Sequence, residues 1–175
     1  MSESQENTGQ GRNAGVVLRK ATVKDVPVMV RMINGYAAQG QMLPKSYNQL
    51  YQDIRDFFVA TSDGVVIGCG ALHVVWEDLA EVRSLVVVES WQGKGLGRTI
   101  VERLLAEARA LGLPRIFALT YHPAFFERLG FHLVPRETLP HKIWSDCLNC
   151  VKFPNCDEVA VIIELNGIKE EDHEG

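Results

Sequence analysis

Apolar residues along positions 16–165 follow two periods, one typical of strands and one typical of helices. Extended apolar runs predict strands at residues 16–22, 57–61, 65–75, 80–88, 115–121 and 158–165. Helical spacing predicts helices over residues 24–37, 46–57 and 123–130, and a longer helix that ends before Gly112 and Pro114. The order of these elements predicts an α/β (α+β) fold, with a mixed sheet and helices on both faces.

The same spacing identifies the helical residues that should face the core. They are Val26, Val28, Met29, Met32 and Ile33 in the first helix, and Ile100, Val101, Leu104, Leu105, Ala108 and Leu111 in the long one. Ser46 followed by Gln49 is a capping box that begins the second helix, and Ser62-Asp63-Gly64 between two strand runs predicts a hairpin. Residues 80–88 are almost continuously apolar at their end, which predicts a central strand covered on both faces.

Length and composition favour one folded domain over residues 16–165 of the 175, with disordered segments at 1–15 and 166–175. A formal charge of -4 gives no general attraction to nucleic acid or to an anionic membrane. The chain has no apolar run near the roughly 20 residues that span a bilayer, and its polar start lacks the apolar core of a signal peptide. We therefore expect a cytoplasmic protein that binds neither nucleic acid nor membrane.

Four cysteines do not suggest a disulfide framework, because Cys69 lies alone in a strand pattern and the others cluster late. Cys147, Cys150 and Cys156 with nearby His141 have a zinc-like count, but a single C-x-x-C pair with uneven spacing is a weak zinc signal. We predict no metal. We expect these cysteines to be reduced, in a loop that either closes over the substrate site or packs at a subunit contact.

The stretch ESWQGKGLGRT, residues 89–99, places three glycines between an apolar strand and the long helix. A Rossmann fingerprint fails because the third glycine would fall on Arg98, and no lysine followed by Ser or Thr completes a Walker loop. A glycine turn that opens a helix can still hold pyrophosphate on free amides, with Lys94 and Arg98 adding charge. The alternative is a glycine-rich turn with a capped helix behind it.

Two motifs carry a family resemblance. Gln92-x-x-Gly95-x-Gly97, together with PAFFERLGF at Pro123–Phe131, resembles the acetyl-CoA motifs of the GCN5-related N-acetyltransferases (GNAT), and the likeness covers residues 17–165. It implies a mostly antiparallel central sheet with a splayed central strand, and acetyl-CoA as co-substrate. The coenzyme-binding residues that it implies are Leu85, Val86 and Val87 for the pantetheine arm and acetyl carbonyl, Gly93, Lys94, Gly95, Leu96, Gly97 and Arg98 for the pyrophosphate, and also Gln92 and Phe126.

Acetyl transfer to an amine needs a base, because an amino group is largely protonated near neutral pH. Glu81 stands where this family often carries its catalytic glutamate, although a solvent-facing strand-end residue is the alternative. His73 is a second candidate base, while Glu77 and Asp78 look like loop residues.

A leaving thiolate also needs a proton. Many family members supply it from a tyrosine, but Phe126 occupies that position here. Tyr121 is the nearest substitute in sequence; it either protonates the thiolate or only lines the coenzyme, and solvent can also serve as the acid.

Residues 40–60, 79–97 and 116–131 further resemble the acetyltransferase domain of the N-acetylglutamate synthases, and residues 139–161 resemble their short bacterial form. This implies transfer to the α-amino group of L-glutamate, or of glutamine, in the first step of arginine biosynthesis, and leaves a homodimer open. Lys45 and Arg83 would bind the substrate carboxylate, unless Arg83 pairs with Glu81 or Glu77 instead.

Three other cations, Arg19, Arg55 and Lys142, are expected to be solvated. The alternatives to this function are an N-acetyltransferase for another amine or for a peptide or protein N-terminus, and a non-catalytic acyl-CoA sensor.

Overall fold

The computed structural model describes residues 15–140 and 158–165. Its strands are β1 (Val16–Lys20), β2 (Phe57–Ser62), β3 (Val65–Trp76), β4 (Leu79–Val87), β5 (Arg115–Thr120), β6 (His132–Val134) and β7 (Val159–Glu164). Its α-helices are α1 (Val26–Ala38), α2 (Tyr47–Gln52), α3 (Leu96–Ala110) and α4 (Pro123–Glu127). Short 3-10 turns at Ile54–Asp56 and Glu89–Trp91 precede β2 and the glycine loop.

These strands form one sheet in the order β1-β2-β3-β4-β5-β7-β6. Within the described ranges every neighbouring pair is antiparallel except β4 and β5, which run parallel. The predicted central strand is therefore confirmed, since β4 is the fourth strand of seven in this sheet.

The sheet opens between β4 and β5. Pairing is limited to Ala80 with Ile116 and Glu81 with Phe117, so the two strands separate beyond Glu81. On its other side β4 stays paired with β3, but Ser84 has φ 51° and the register shifts between Cys69 and Ala71. Such a bulge bends a strand and increases its twist, which is consistent with β4 leaving β5 at this point.

Three apolar clusters pack on the sheet; the smallest contains Leu79 and Phe117, and the two larger ones cover opposite faces. One joins the buried side of α3 to Ala80 and Val82 of β4, and the other joins α1 and α2 to Ala71 and Val86. Because side chains alternate along a strand, Glu81 lies on the face that α1 and α2 cover, opposite to its neighbours Ala80 and Val82. The helices therefore lie on both faces, as the sequence predicts.

Most local expectations are confirmed. Ser46 caps α2 by accepting from the Gln49 N–H at 3.1 Å, and the Gln49 side chain accepts from the Ser46 N–H at 2.8 Å. Asp63 and Gly64 take positive φ values of 50° and 76° in the predicted hairpin. The second helix is shorter than expected, because α2 ends at Gln52 and a 3-10 turn takes its place up to β2.

Two burial predictions need correction. Leu111 is 58% exposed, because α3 ends at Ala110 and Gly112 turns the chain with φ 78°. The N–H of Leu113 then bonds to the Ala108 carbonyl at 3.0 Å, so Leu113 occupies the buried position in a Schellman motif. In α1, Val30 is buried although the pattern missed it, while Val28 and Met32 are only partly buried.

Candidate active site

The three glycines of the loop after β4 have different structural roles. Gly93 and Gly95 have φ values of 74° and 83°, and a Cβ at either would meet no atom within 4 Å. Gly97 has an ordinary helical conformation, but its Cβ would lie 3.4 Å from Cζ of Phe125. Backbone conformation thus favours glycine at the first two positions, whereas at the third a Cβ would make an ordinary van der Waals contact with Phe125.

The loop leads into the N-terminus of α3, a helix of 15 residues whose N-cap, Gly95, makes no side-chain capping bond. The first intrahelical bond runs from the Thr99 N–H to the Gly95 carbonyl, so the N–H groups of Leu96 through Arg98 precede the helical ladder. This end of a helix carries a partial positive charge and donor groups, the combination that binds phosphate.

The two cations of the loop have contacts on the protein surface. The Lys94 ammonium lies 5.1 Å from the centre of the Trp91 ring, and Nε of Arg98 donates to Glu102 at 2.9 Å. The side chains of Arg98 and Glu102 are 59% and 52% exposed, so this ion pair is weak in water. Either cation can therefore turn toward an anion at the helix start at little cost.

The end of β4 presents backbone groups to the gap beside β5. The Val88 N–H donates to the Ile67 carbonyl at 3.0 Å. In an antiparallel ladder the backbone groups alternate in direction, so those of Val86 also face β3 and those of Val87 face the gap. Leu85 lies in the bulge between Arg83 and Val86, where this alternation breaks. The contact of Leu85, Val86 and Val87 with the pantetheine arm stays a prediction.

One of these gap-facing groups is already bound. The Val87 carbonyl accepts from the Tyr36 hydroxyl at 2.8 Å and from Nε2 of Gln92 at 3.0 Å, and Gln92 Nε2 also donates to the Tyr36 oxygen. Gln92, predicted to bind coenzyme, thus fastens the loop to β4. Tyr36 was not predicted as a site residue, because a tyrosine near the end of an amphipathic helix is usually a partly buried residue without a special role.

Glu81 is 8% exposed and lies where β4 and β5 separate. Nε of Arg83 donates to its carboxylate at 2.6 Å, so Arg83 makes the ion pair that was the alternative to its binding a substrate carboxylate. His73 lies directly across from Glu81 on β3, and its Nδ1 is 3.0 Å from a carboxylate oxygen of Asp56. The Glu81–Arg83 and His73–Asp56 pairs therefore belong to residues on neighbouring strands, with His73 and Glu81 directly paired in register.

The aromatic candidates lie on the other side of the gap. Tyr121 follows the last residue of β5 and is partly exposed, at the edge of the sheet opening. Phe126 is 5% exposed and packs edge-on against Phe125 and Phe131, with ring centres 5.1 Å apart in each pair. It is thus a core residue, and Phe125 is the aromatic residue that touches the glycine loop, at Gly97.

The candidate acceptor residue Lys45 lies between α1 and α2, and the side chain of Asn34 fixes its backbone. The Asn34 amide accepts from the Lys45 N–H at 2.8 Å and donates to its carbonyl at 2.9 Å. Within residues 15–140 and 158–165 no ion pair of the Lys45 ammonium is found. This arrangement holds a cation on the same face of the sheet as Glu81.

The remaining cations and carboxylates near the strand ends have structural contacts. Arg19, expected to be solvated, binds Asp25 through two nitrogens at 2.7 and 2.9 Å, and this contact lowers the pKa of Asp25. Asp78 bonds to Arg115 at 2.7 Å, and Glu77 is exposed in the β3–β4 turn, which confirms both as loop residues. Arg55 is exposed, and Lys142 lies outside the described residues.

The cysteine cluster also lies outside the described residues, as do the segments 1–14 and 166–175. In the part of the chain that the structure describes, no group of three potential metal ligands comes together, and no helix has the length and apolar character to cross a membrane. Cys69 is fully buried, and burial raises the pKa of its thiol to about 12. It is therefore unreactive as a thiolate near neutral pH.

Two strands that separate beside a glycine loop, with unpaired N–H groups at the start of the following helix, form a cleft with donor groups suited to phosphate. Residues 31–131, more than half of the chain, match the acetyltransferase (GNAT) family. The chain belongs to this family.

Two sequence relatives extend the likeness. An uncharacterized N-acetyltransferase of Chlorobaculum tepidum is 42% identical over 152 residues, which is 87% of this chain and 98% of that protein. An amino-acid acetyltransferase of Mycobacterium tuberculosis is 42% identical over 127 residues, covering 71% of this chain and 72% of that protein.

Solved structures agree with the fold. Rv2747 from Mycobacterium tuberculosis, in complex with CoA and NLQ, matches with a TM-score of 0.75 at 33% identity, over 85% of this chain and 99% of the other. N-acetylglutamate synthase from Neisseria gonorrhoeae, complexed with coenzyme A and N-acetyl-glutamate, matches with a TM-score of 0.80 at 26% identity. That match covers 87% of this chain but 36% of the synthase. The expected GNAT fold, a mostly antiparallel sheet with one parallel pair, is confirmed for the described residues.

Proposed function

We propose that this chain transfers the acetyl group of acetyl-CoA to the α-amino group of L-glutamate, or of its close relative L-glutamine, as in the first step of arginine biosynthesis. The observation that carries the proposal is the buried Glu81–Arg83 pair at the point where β4 and β5 separate, on the strand that leads into the glycine loop. The amino-acid acetyltransferase and the N-acetylglutamate synthase among the similar proteins support this choice of acceptor.

Acetyl-CoA would bind along β4 and the loop. The N–H groups of Leu85 and Val87 would donate to the acyl and pantetheine oxygens, and the amides at residues 96–98 would donate to the pyrophosphate. Lys94 and Arg98 would leave their surface contacts to add positive charge there. Backbone donors suit this task because they are fixed before the ligand binds.

In the reaction, the neutral amine attacks the thioester carbonyl carbon and forms the new C–N bond. Glu81 accepts the proton that the amine loses, directly or through water. The C–S bond then breaks, and coenzyme A leaves as a thiolate that takes a proton from Tyr121 or from solvent. Tyr121, just past β5 at the edge of the gap, is the candidate acid because the motif position holds the buried Phe126.

His73 is the second candidate base. It lies directly across from Glu81, and in the tautomer that donates Nδ1–H to Asp56 its other nitrogen is a proton acceptor. An imidazole oriented by a carboxylate is a common arrangement for a general base. The variant Glu81→Gln separates the two candidate bases, because it removes the proton acceptor at position 81 and leaves the His73–Asp56 contact intact.

The acceptor would be recognised by its charges. Glutamate carries an α-carboxylate beside the reacting amine, and a pocket for it needs cations held in place. We assign this role to Lys45, whose backbone is held by Asn34. Arg83 is the second cation for this role, and to fill it Arg83 would have to exchange its contact with Glu81 for one with the substrate. A charge-assisted hydrogen bond to a carboxylate contributes about 1.5–3 kcal/mol.

The deciding experiment measures coenzyme A release with twenty amino acids and with glutamate α-amide, for wild type and for Lys45→Met. Methionine keeps most of the apolar stem and removes only the charge. The variant should raise the KM for glutamate about ten- to a hundredfold, with a smaller effect on kcat. Wild type should reject the α-amide, and the variant should lose most of that preference.

Lys24→Met is the matched control, because Lys24 is an exposed lysine near the start of α1 that has no part in the proposed site. Equal use of glutamate and its α-amide by wild type would contradict the assignment and favour a peptide N-terminal acetyltransferase. Binding of acetyl-CoA without turnover of any amine would favour an acyl-CoA sensor.

A further inference from the structure

We infer that Tyr36 is a positioning residue for acetyl-CoA: it sets the spacing between the end of β4 and the glycine loop without touching the coenzyme. The inference rests on the proposed function only in taking acetyl-CoA as the ligand of β4 and the loop. Tyr36 belongs to α1 and lies outside both sequence motifs.

Three elements meet at the Tyr36 hydroxyl. It donates to the Val87 carbonyl at 2.8 Å, and the Gln92 side chain donates both to the Tyr36 oxygen and, at 3.0 Å, to the same carbonyl. Tyr36 is 51 residues from Val87 and 56 from Gln92, so the contact joins α1, β4 and the loop. We call these three residues the Val87 clamp.

The Val87 clamp lies between the two regions that a coenzyme must reach together. On one side are the gap-facing backbone groups of Val87, at the end of β4, and on the other are the helix-start amides at residues 96–98. The connection includes Gly93 and Gly95, both in a left-handed conformation that flexible glycine reaches easily. Without the clamp this connection would have more conformations to lose on binding, which lowers affinity.

The clamp also selects which group of Val87 meets the ligand. Two donors satisfy the two lone pairs of the Val87 carbonyl, so its N–H remains as the group available to the acyl arm. The packing of α1 does not need the hydroxyl, because fully buried Val26, Met29 and Ile33 supply its contact with the sheet. The hydroxyl thus has a role beyond holding the helix.

The test uses Tyr36→Phe, which removes only the hydroxyl, and calorimetric binding of CoA. The Kd for CoA should rise about three- to tenfold, the effect of one neutral hydrogen bond. The KM for acetyl-CoA should rise by the same factor, while kcat at saturation stays within about twofold and its pH profile is unchanged. ADP has the pyrophosphate but no pantetheine arm, so it contacts the loop without reaching β4. Its affinity should fall less than about twofold, because Tyr36 sets the spacing between β4 and the loop.

Gln92→Met, on an exposed side chain, gives a second variant that does not disturb the core. If the clamp acts as a unit, the double variant of Tyr36→Phe and Gln92→Met should bind CoA with about the same affinity as whichever single variant binds it less tightly. Tyr51→Phe is the matched control, since Tyr51 is 45% exposed on α2, and it should bind CoA as wild type does.

Unchanged CoA affinity in Tyr36→Phe, with or without a lower melting temperature, would overturn the inference and leave the proposed function standing. Equal losses for ADP and CoA would also overturn it, because Tyr36 would then act on the loop itself. Failure of wild type to bind CoA would overturn the proposed function together with this inference.

Discussion

Gly95 offers a direct test of the pyrophosphate site, because its missing Cβ faces open space at the start of α3. We compare Gly95→Asn with Gly95→Asp. Both side chains tolerate the left-handed conformation at φ 83° better than other residues do, and the two have nearly the same shape. The conformational cost of replacing glycine is therefore nearly equal in the two variants, and the comparison isolates one negative charge.

The size of the effect follows from Coulomb's law. Two unit charges about 6 Å apart repel by about 0.7 kcal/mol at an effective dielectric constant of about 80, and by about 2.8 kcal/mol at about 20. This corresponds to a loss of roughly threefold to a hundredfold in CoA affinity for Asp relative to Asn. In the free protein the same charge has a favourable effect, since Asp at a helix N-cap stabilises the helix. Weaker binding by the Asp variant could not then result from an unstable helix.

The assay is isothermal calorimetry with CoA at low salt and again at about 0.5 M salt, with circular dichroism and melting curves for both variants. The ratio of the two Kd values should shrink at high salt, because screening shortens the range of charge repulsion to about 4 Å. Equal CoA affinities for the Asn and Asp variants at low salt would refute pyrophosphate binding at this helix start.

Two further predictions concern buried carboxylates. Glu81→Gln should lower kcat about 10²–10⁴-fold with little change in CoA affinity, as stopped-time assays of coenzyme A release would show; wild-type turnover with an unchanged pH profile would move the base to His73. Asp25→Asn should cost about 1–3 kcal/mol of unfolding free energy at pH 7, a value reduced because Arg19 is 40% exposed. The hydrogen bond from Arg19 is the main cause that lowers the folded pKa of Asp25 below 3.8. Its stabilisation is therefore present above about pH 4 and lost as the pH falls through the folded pKa. Urea unfolding should show that the difference in unfolding free energy between wild type and Asp25→Asn is smaller near pH 3 than at pH 7. An equal difference at the two pH values would contradict this origin.

The amino-acid sequence by itself determined the features that depend on neighbouring residues. The α2 capping box needs only Ser46 and Gln49, and the hairpin needs only a turn of two residues with positive φ. The glycine loop and the start of α3 were predictable for the same reason, since glycines permit a turn directly after a strand and the helical spacing of apolar residues begins just beyond them. Periodicity then sufficed to predict the sides of α1 and α3 that face the core, with errors at the helix ends, where Gly112 and not the spacing decides that Leu111 is exposed.

Only the tertiary structure decided which groups meet at the site. His73 lies across from Glu81 because of the β3–β4 register, and the β4–β5 pairing stops at Glu81. Contacts such as Tyr36 with Val87 join residues far apart in the chain, and no local pattern specifies them. The reason is that a local signal reports the conformation of a few residues. The direction of a backbone carbonyl and the partner of a side chain depend instead on how whole elements pack.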